Sequence, residues 1–257
     1  MTDPAYPIMP GAEPWSYEHD TTDAPGALVI HGFTGNPGSM RGLAEAFSKA
    51  GLHVEMPRLP GHGTAVEEML TTDWSDWLGE AEAAYRRLIQ RADKVVVAGL
   101  SMGGALTLRI GADHPEVTGL VCINPATKPL AAEMLDAVRA MLEAGSDLMP
   151  GIGSDIADPS SKEDAYGDTP LVPLLSLVEE GLTPLAKEYP SMRMPLLLLS
   201  SPQDHVVEPA QADFLESTYG GPVERILLER SYHVATQDYD KELIFESAVA
   251  FAKRVTA

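Results

Sequence analysis

The sequence is poor in cysteine, in basic residues and in long apolar runs, and each shortage removes a class of function. Its one cysteine, Cys122, has no partner for an internal disulfide, which fits a reducing cytoplasm. No apolar run approaches the roughly 18 residues needed to cross a bilayer, and Pro195 to Ser200 supplies only a short Leu-rich stretch. Met1 to Asp20 carries acids and prolines, with neither a basic start nor an apolar centre. No signal peptide is expected, and a cytoplasmic location is. Lys and Arg number 18 against 38 Asp and Glu, a net charge of −20. A field of that sign repels nucleic acid and anionic headgroups, so nucleic acid is excluded as a partner. Membrane or micelle contact is reduced to a transient one. The bland use of the charge is solubility, with a salt-adapted host as the alternative.

What is present is an alternation of short apolar runs with helical patterns over 257 residues. That length buries one sizeable core, and the alternation predicts a mostly parallel central sheet with helices on both faces. Strands are expected at Ala27–His31, His53–Met56, Lys94–Ala98, Gly119–Ile123, Pro195–Ser200 and Glu224–Leu228. Helices are expected at Ser39–Ala50, Asp73–Arg91, Ser101–Asp113, Pro209–Tyr219 and Lys241–Val255. Between Asn124 and Met194 the alternation stops, and prolines at 129, 150, 159, 170, 173, 184 and 190 break the chain into short helical pieces. Residues 125–194 therefore read as an insertion, with 1–124 and 195–257 as the two parts of one core. Such an insertion at the carboxyl edge of a sheet either covers the active site or only packs on the core.

The chemistry starts at Gly99-Leu100-Ser101-Met102-Gly103. It follows the Val95-Val96-Val97 strand directly and opens a helix directly, the strand–turn–helix setting of a nucleophile elbow and of the α/β-hydrolase fold. A serine hydroxyl is a poor nucleophile at neutral pH and needs a base held by an acid. In this fold the chain order is Ser, then Asp or Glu, then His. His233 follows the Glu224–Leu228 strand, and Asp204 follows the Leu-rich strand that ends at Ser200. The reading is Ser101 as nucleophile, Asp204 as orienting acid and His233 as base. His205 and Glu208 compete near the acid, and Asp238 and Asp240 beyond His233. The oxyanion needs two N–H donors. Met102, next after the nucleophile, and Phe33, in the loop His31-Gly32-Phe33-Thr34-Gly35, are the candidates through their backbones. An Asp at the elbow would suggest epoxide hydrolase or dehalogenase chemistry, and Ser101 argues against both. A non-catalytic binding protein on this fold would ordinarily lack a triad member, and none is missing.

No metal is expected, because the seven histidines show no ligand spacing and the single cysteine has no pair. His62, between Gly61 and Gly63, reads as a structural histidine of a loop. No phosphate loop or dinucleotide fingerprint is present, so no cofactor is expected. Cys122 reads as a small buried hydrophobe. In the insertion, Met134, Leu135, Val138, Met141 and Leu142 precede Leu171, Leu174, Leu175 and Val178. The second set is spaced for one apolar helical face, available either for burial or for an acyl-chain groove or lipid-facing lid.

On these segments the chain resembles bacterial monoacylglycerol lipases of the Bacillus type and, more distantly, small thermostable carboxylesterases. The likeness lies in His31 to Gly35, in Pro57-Arg58-Leu59 with Gly61-His62-Gly63-Thr64, and in Gly99 to Gly104. It continues in Asp204-His205-Val206-Val207 and in Ser231 to Asp240. The resemblance implies hydrolysis of a small lipid ester, a monoacylglycerol, to fatty acid and glycerol beneath a small cap. It extends to Ile152-Gly153-Ser154-Asp155 and to Glu163–Pro170. It implies that Glu163 binds the glycerol hydroxyls, that Ile152 packs beside them and that Asn124 helps on the polar side. Lys128 to Met149 departs from those relatives, which leaves acyl-length preference open. A broad carboxylesterase is the nearest alternative, and the oligomeric state, a homodimer included, is open.

Overall fold

A seven-stranded sheet organises the computed structural model, which describes residues 6–21 and 23–257. The first five residues of the expected leader-free terminus lie outside the described residues. Along the chain come β1 (Trp15–Tyr17), β2 (Gly26–Ile30), α1 (Arg41–Lys49), β3 (His53–Met56), α2 (Val66–Met69), α3 (Trp74–Leu88) and β4 (Val95–Leu100). There follow α4 (Met102–Asp113), β5 (Gly119–Ile123), α5 (Ala132–Glu143), β6 (Leu148–Pro150), β7 (Asp168–Pro170), α6 (Leu171–Ser176) and α7 (Thr183–Leu185). The chain closes with β8 (Leu196–Ser200), α8 (Ala210–Thr218), β9 (Val223–Leu227) and α9 (Lys241–Val255). The large sheet has the order β1-β3-β2-β4-β5-β8-β9; only β1 runs antiparallel, against β3, and the other neighbours are parallel. This is the α/β-hydrolase fold.

The central strands are apolar throughout because both faces are covered, as parallel sheets require. In β4, Val95 and Val97 join the core on the face covered by α3, α4 and α8, while Val96, Ala98 and Leu100 join the core on the face covered by α1 and α9. Each buried Val or Leu of that kind contributes about 1.5–3 kcal/mol. The helix α3 begins where Asp73 accepts from the N–H groups of Ser75 and Asp76, and Asp76 returns the bond to the Asp73 N–H. That capping box fixes the first turn.

Residues 125–194 add no strand to the large sheet. Instead β6 and β7 pair antiparallel with each other, Met149 opposite Thr169. The apolar run from Leu171 enters α6 and continues as a π-helical segment, Leu177–Leu182. Leu171, Leu177 and Val178 are buried; Leu174 and Leu175 are half-buried, and Val172 is exposed. The run therefore divides between core packing and an open face. In α5 only Val138 is buried. Among the described residues no helix is long and apolar enough to cross a membrane.

Candidate active site

Ser101 stands between β4 and α4 with φ 57° and ψ −118°, a conformation that costs a non-glycine residue on the order of 1–3 kcal/mol. The surroundings hold it there. Its N–H donates to the Ile123 carbonyl at 3.0 Å, and its carbonyl accepts from Ala126 at 3.1 Å. Gly103 is required by close approach, since a Cβ there would lie 2.3 Å from the Ile30 carbonyl oxygen. The turn thereby presses α4 against the end of β2 and lifts the serine to the carboxyl edge of the sheet.

That placement leaves two donors. Met102 is the first residue of α4, so its N–H has no acceptor within the helix. Among the described residues neither the Met102 nor the Phe33 N–H finds another acceptor. The Phe33 ring packs edge-on against His62 and Trp77, with centroids 6.4 and 5.6 Å away, which steadies the loop that offers its N–H. His31 and His62 beneath it are fully buried. Burial pushes the His62 imidazole down to about 4 and His31 well below its ordinary range, so both are neutral. His62 Nδ1 pairs with the Pro60 carbonyl at 2.9 Å, in keeping with a structural histidine.

The loops after β8 and β9 bring Asp204 and His233 together, with Nδ1 and Oδ2 2.7 Å apart and both side chains buried. A carboxylate can only accept, so Nδ1 carries the proton and Nε2 is free to act as base. Asp204 Oδ1 accepts from the Val206 and Val207 N–H groups, each at 2.8 Å, which fixes the carboxylate. Ser101 Oγ and His233 Nε2 are not hydrogen-bonded to each other in this structure; such contacts often tighten only with substrate. Three of the four competitors are engaged elsewhere, and Glu208 is exposed. His205 pairs with Asp155 at 2.8 Å. Glu208 makes no side-chain hydrogen bond to His233, whose Nδ1 pairs with Asp204. Asp238 accepts from the N–H groups of Ala157, Asp158, Tyr232 and Tyr239. Asp240 takes Arg230 and Ser231.

Glu163 lies over the His31–Gly35 loop, its Oε1 2.8 Å from where a Cβ on Gly35 would stand. Glycine at 35 is what admits it. Burial pushes the Glu163 carboxyl up to about 7, opposed by the nearby His233 and reinforced by Asp164. The segment that carries Glu163 is tied down. Tyr166 donates its N–H to Thr34 at 3.1 Å and its hydroxyl to Gly61 at 2.8 Å, and accepts from the Thr64 N–H at 3.0 Å. Asn36 donates to the Asp164 carbonyl.

Ile152 is 62 % exposed. Asn124 requires a correction. The resemblance implies that Asn124 helps on the polar side of the substrate, but the amide is buried and engaged with protein groups. Its two N–H groups are shared among three acceptors, His233 O at 2.8 Å, Ser201 Oγ at 3.0 Å and Tyr232 O at 3.2 Å, and its Oδ1 accepts from the Ser201 N–H at 2.7 Å. With φ 42°, Asn124 is a bracket for the base loop. Sequence reasoning also passed over Asp155, which touches both the loop of Asp204 and the loop of His233; one acid among 38 carries no distinguishing spacing. Among the described residues no group of three His, Cys, Asp or Glu side chains is placed to hold a metal.

Residues 25–240 match the family described as serine aminopeptidase S33. The chain belongs to that family of serine hydrolases. It is 42 % identical to a thermostable monoacylglycerol lipase of Bacillus sp., over 96 % of each chain. It is 22 % identical to a carboxylesterase of Bacillus subtilis over 89 % of this chain and 92 % of that one. A solved structure of the metagenome-derived lipolytic enzymes LipS and LipT superposes with a TM-score of 0.89 and 41 % identity, covering 96 % of this chain and 100 % of that one. Monoacylglycerol lipase of Paleococcus ferrophilus shares the fold at a TM-score of 0.74 and 18 % identity, covering 95 % of this chain and 99 % of that one.

Proposed function

We propose that the protein hydrolyses monoacylglycerols to a fatty acid and glycerol through an acyl-enzyme on Ser101. In this reading Ser101 Oγ attacks the ester carbonyl while His233 Nε2 takes its proton. Asp204 holds the imidazole in the required tautomer and stabilises the imidazolium. The Met102 and Phe33 N–H groups receive the oxyanion, in a setting where preorganised donors contribute most. His233 then gives the proton to the departing glycerol oxygen. A water, deprotonated by the same imidazole, releases the fatty acid.

The observation that carries the glycerol assignment is Glu163. It places a carboxylate beside the oxyanion loop, within the electrostatic reach of His233, where the alcohol part of the ester must sit. An ionised carboxyl accepts two hydroxyl hydrogen bonds, and the monoacylglycerol alone supplies two free hydroxyls. The 42 % identity to a monoacylglycerol lipase supports the same reading. We read residues 125–194 as the cap, over a core of 1–124 and 195–257. The exposed Met134 and Val172 of α5 and α6 are then the side that meets the acyl chain or, briefly, a lipid surface. The buried, unpaired Cys122 is consistent with work in the cytoplasm.

The rival reading is a carboxylesterase indifferent to glycerol, and the withdrawal of Asn124 from the polar side favours it. Comparison of kcat/KM on a monoacylglycerol and on the methyl ester of the same acid separates the two. The expected result is a clear preference for the glyceryl ester that Glu163→Ala abolishes. Equal values for the wild-type protein contradict the proposal.

A further inference from the structure

We infer that Asp155, in the inserted segment, is a positioning residue that holds the base and acid loops of the triad in register. The inference rests on the reading of Ser101, Asp204 and His233 as that triad. Asp155 is buried, and its Oδ2 accepts from two backbone N–H groups: His233 at 3.0 Å and His205 at 3.1 Å. The first belongs to the base itself, the second to the residue that follows the acid. Oδ1 pairs with His205 Nδ1 at 2.8 Å, and the Asp155 carbonyl accepts from Val234 at 3.0 Å.

One carboxylate thus joins two loops that leave different strands, β8 and β9. The grip is completed from the other side. Asn124 Nδ2 donates to the His233 carbonyl at 2.8 Å, so the His233 residue is held by its N–H and by its C=O from opposite directions. A reciprocal bond ties the inserted segment back: Asp238, from the base loop, accepts from Ala157 at 2.8 Å and Asp158 at 3.0 Å. Bonds from N–H groups to a buried carboxylate are charge-assisted, and removing the acceptor leaves those donors unpaired. Asp155 touches no reacting atom. Its effect is on where Nε2 points, and a displacement of about 1 Å at a catalytic group reduces rate by up to about 100-fold.

The test compares Asp155→Ala, Asp155→Asn and Ser101→Ala on one soluble ester, with kcat, KM, a pH profile and thermal unfolding. Asp155→Ala should lose on the order of 100-fold in kcat with KM within about 3-fold. In Asp155→Asn the amide oxygen still accepts both N–H groups, so kcat should return to within about 3-fold of wild type. The charged groups facing His233 are Asp204, Glu163 and Asp155, with His205 beyond Asp155. Neutralising one acid of that set should move the acidic limb of kcat/KM to lower pH. Wild-type kcat in Asp155→Ala, or an Asn variant as slow as the Ala variant, overturns the inference. Should the Ala variant not fold, Asp155→Glu decides it, since the charge is kept while the carboxylate is displaced: a loss of about 10-fold or more in kcat with KM unchanged supports the inference, and wild-type kcat overturns it. Activity retained by Ser101→Ala would instead refute the triad, and the inference with it.

Discussion

Replacing Glu163 by glutamine should stabilise the protein in alkaline buffer and leave its stability unchanged in acid. The folded-state carboxyl is raised from an ordinary 4.5 to about 7, chiefly by burial. Below pH 4.5 the carboxyl is protonated in folded and unfolded chains alike, and burial carries no penalty. Between 4.5 and 7 the unfolded chain ionises first, so stability falls as pH rises. Above 7 the penalty is complete. At about 1.4 kcal/mol per pH unit the rise amounts to about 3 kcal/mol, and to about half that once the solvent-facing part of the side chain is discounted. For a chain of this length 1 kcal/mol moves Tm by roughly 2–4 °C. Glu163→Gln should therefore raise Tm by about 4 °C at pH 8.5 and by less than about 1 °C at pH 4. Differential scanning calorimetry at the two pH values reads the difference directly. A Tm gain of equal size at both pH values refutes the reasoning, because it would come from packing and not from a buried charge.

Three further outcomes follow from the same geometry. Asp204→Asn should lower kcat by about 10³-fold or more, with KM little changed, because the amide oxygen stays on the Val206 and Val207 N–H groups and the NH2 then faces Nδ1, which selects the wrong imidazole tautomer; steady-state kinetics on a soluble ester measures it. Asn124→Ala should cost about 2–4 kcal/mol of stability by chemical denaturation, since it removes a buried amide with four partners at a positive φ. The same variant should leave the ratio of monoacylglycerol to methyl-ester kcat/KM within about 3-fold of wild type, and a selective loss on the monoacylglycerol would return Asn124 to the substrate.

The order of strands and helices was legible because the apolar runs and helical patterns alternate cleanly. His53–Met56, Gly119–Ile123 and Lys241–Val255 form the expected elements to the residue. The edge strand Trp15–Tyr17 was not legible: three residues with no alternation pair there only because β3 offers an unpaired side. Within 125–194, β6 and β7 pair across a gap of 17 residues, and local pattern carries no trace of such a partner. The chemistry at the elbow was legible because strand, turn and helix adjoin in sequence. Asp204 and His233 were readable from the order of late strands, and the structure sets them 2.7 Å apart. Asn124 and Asp155 were not, because their work is done on backbone groups of loops 50 to 109 residues away. Bonds to backbone impose no partner residue type that a sequence can display.

The central claim is that the ester's acyl group passes through Ser101. Intact-mass and peptide analysis after acid quench of a burst with a slowly deacylating ester tests it most directly. The account predicts one acyl adduct per chain, located on the peptide containing Ser101 and absent from Ser101→Ala, which should also be inactive while folding normally. Turnover without an adduct in the wild-type protein, or an adduct on another residue, would contradict it.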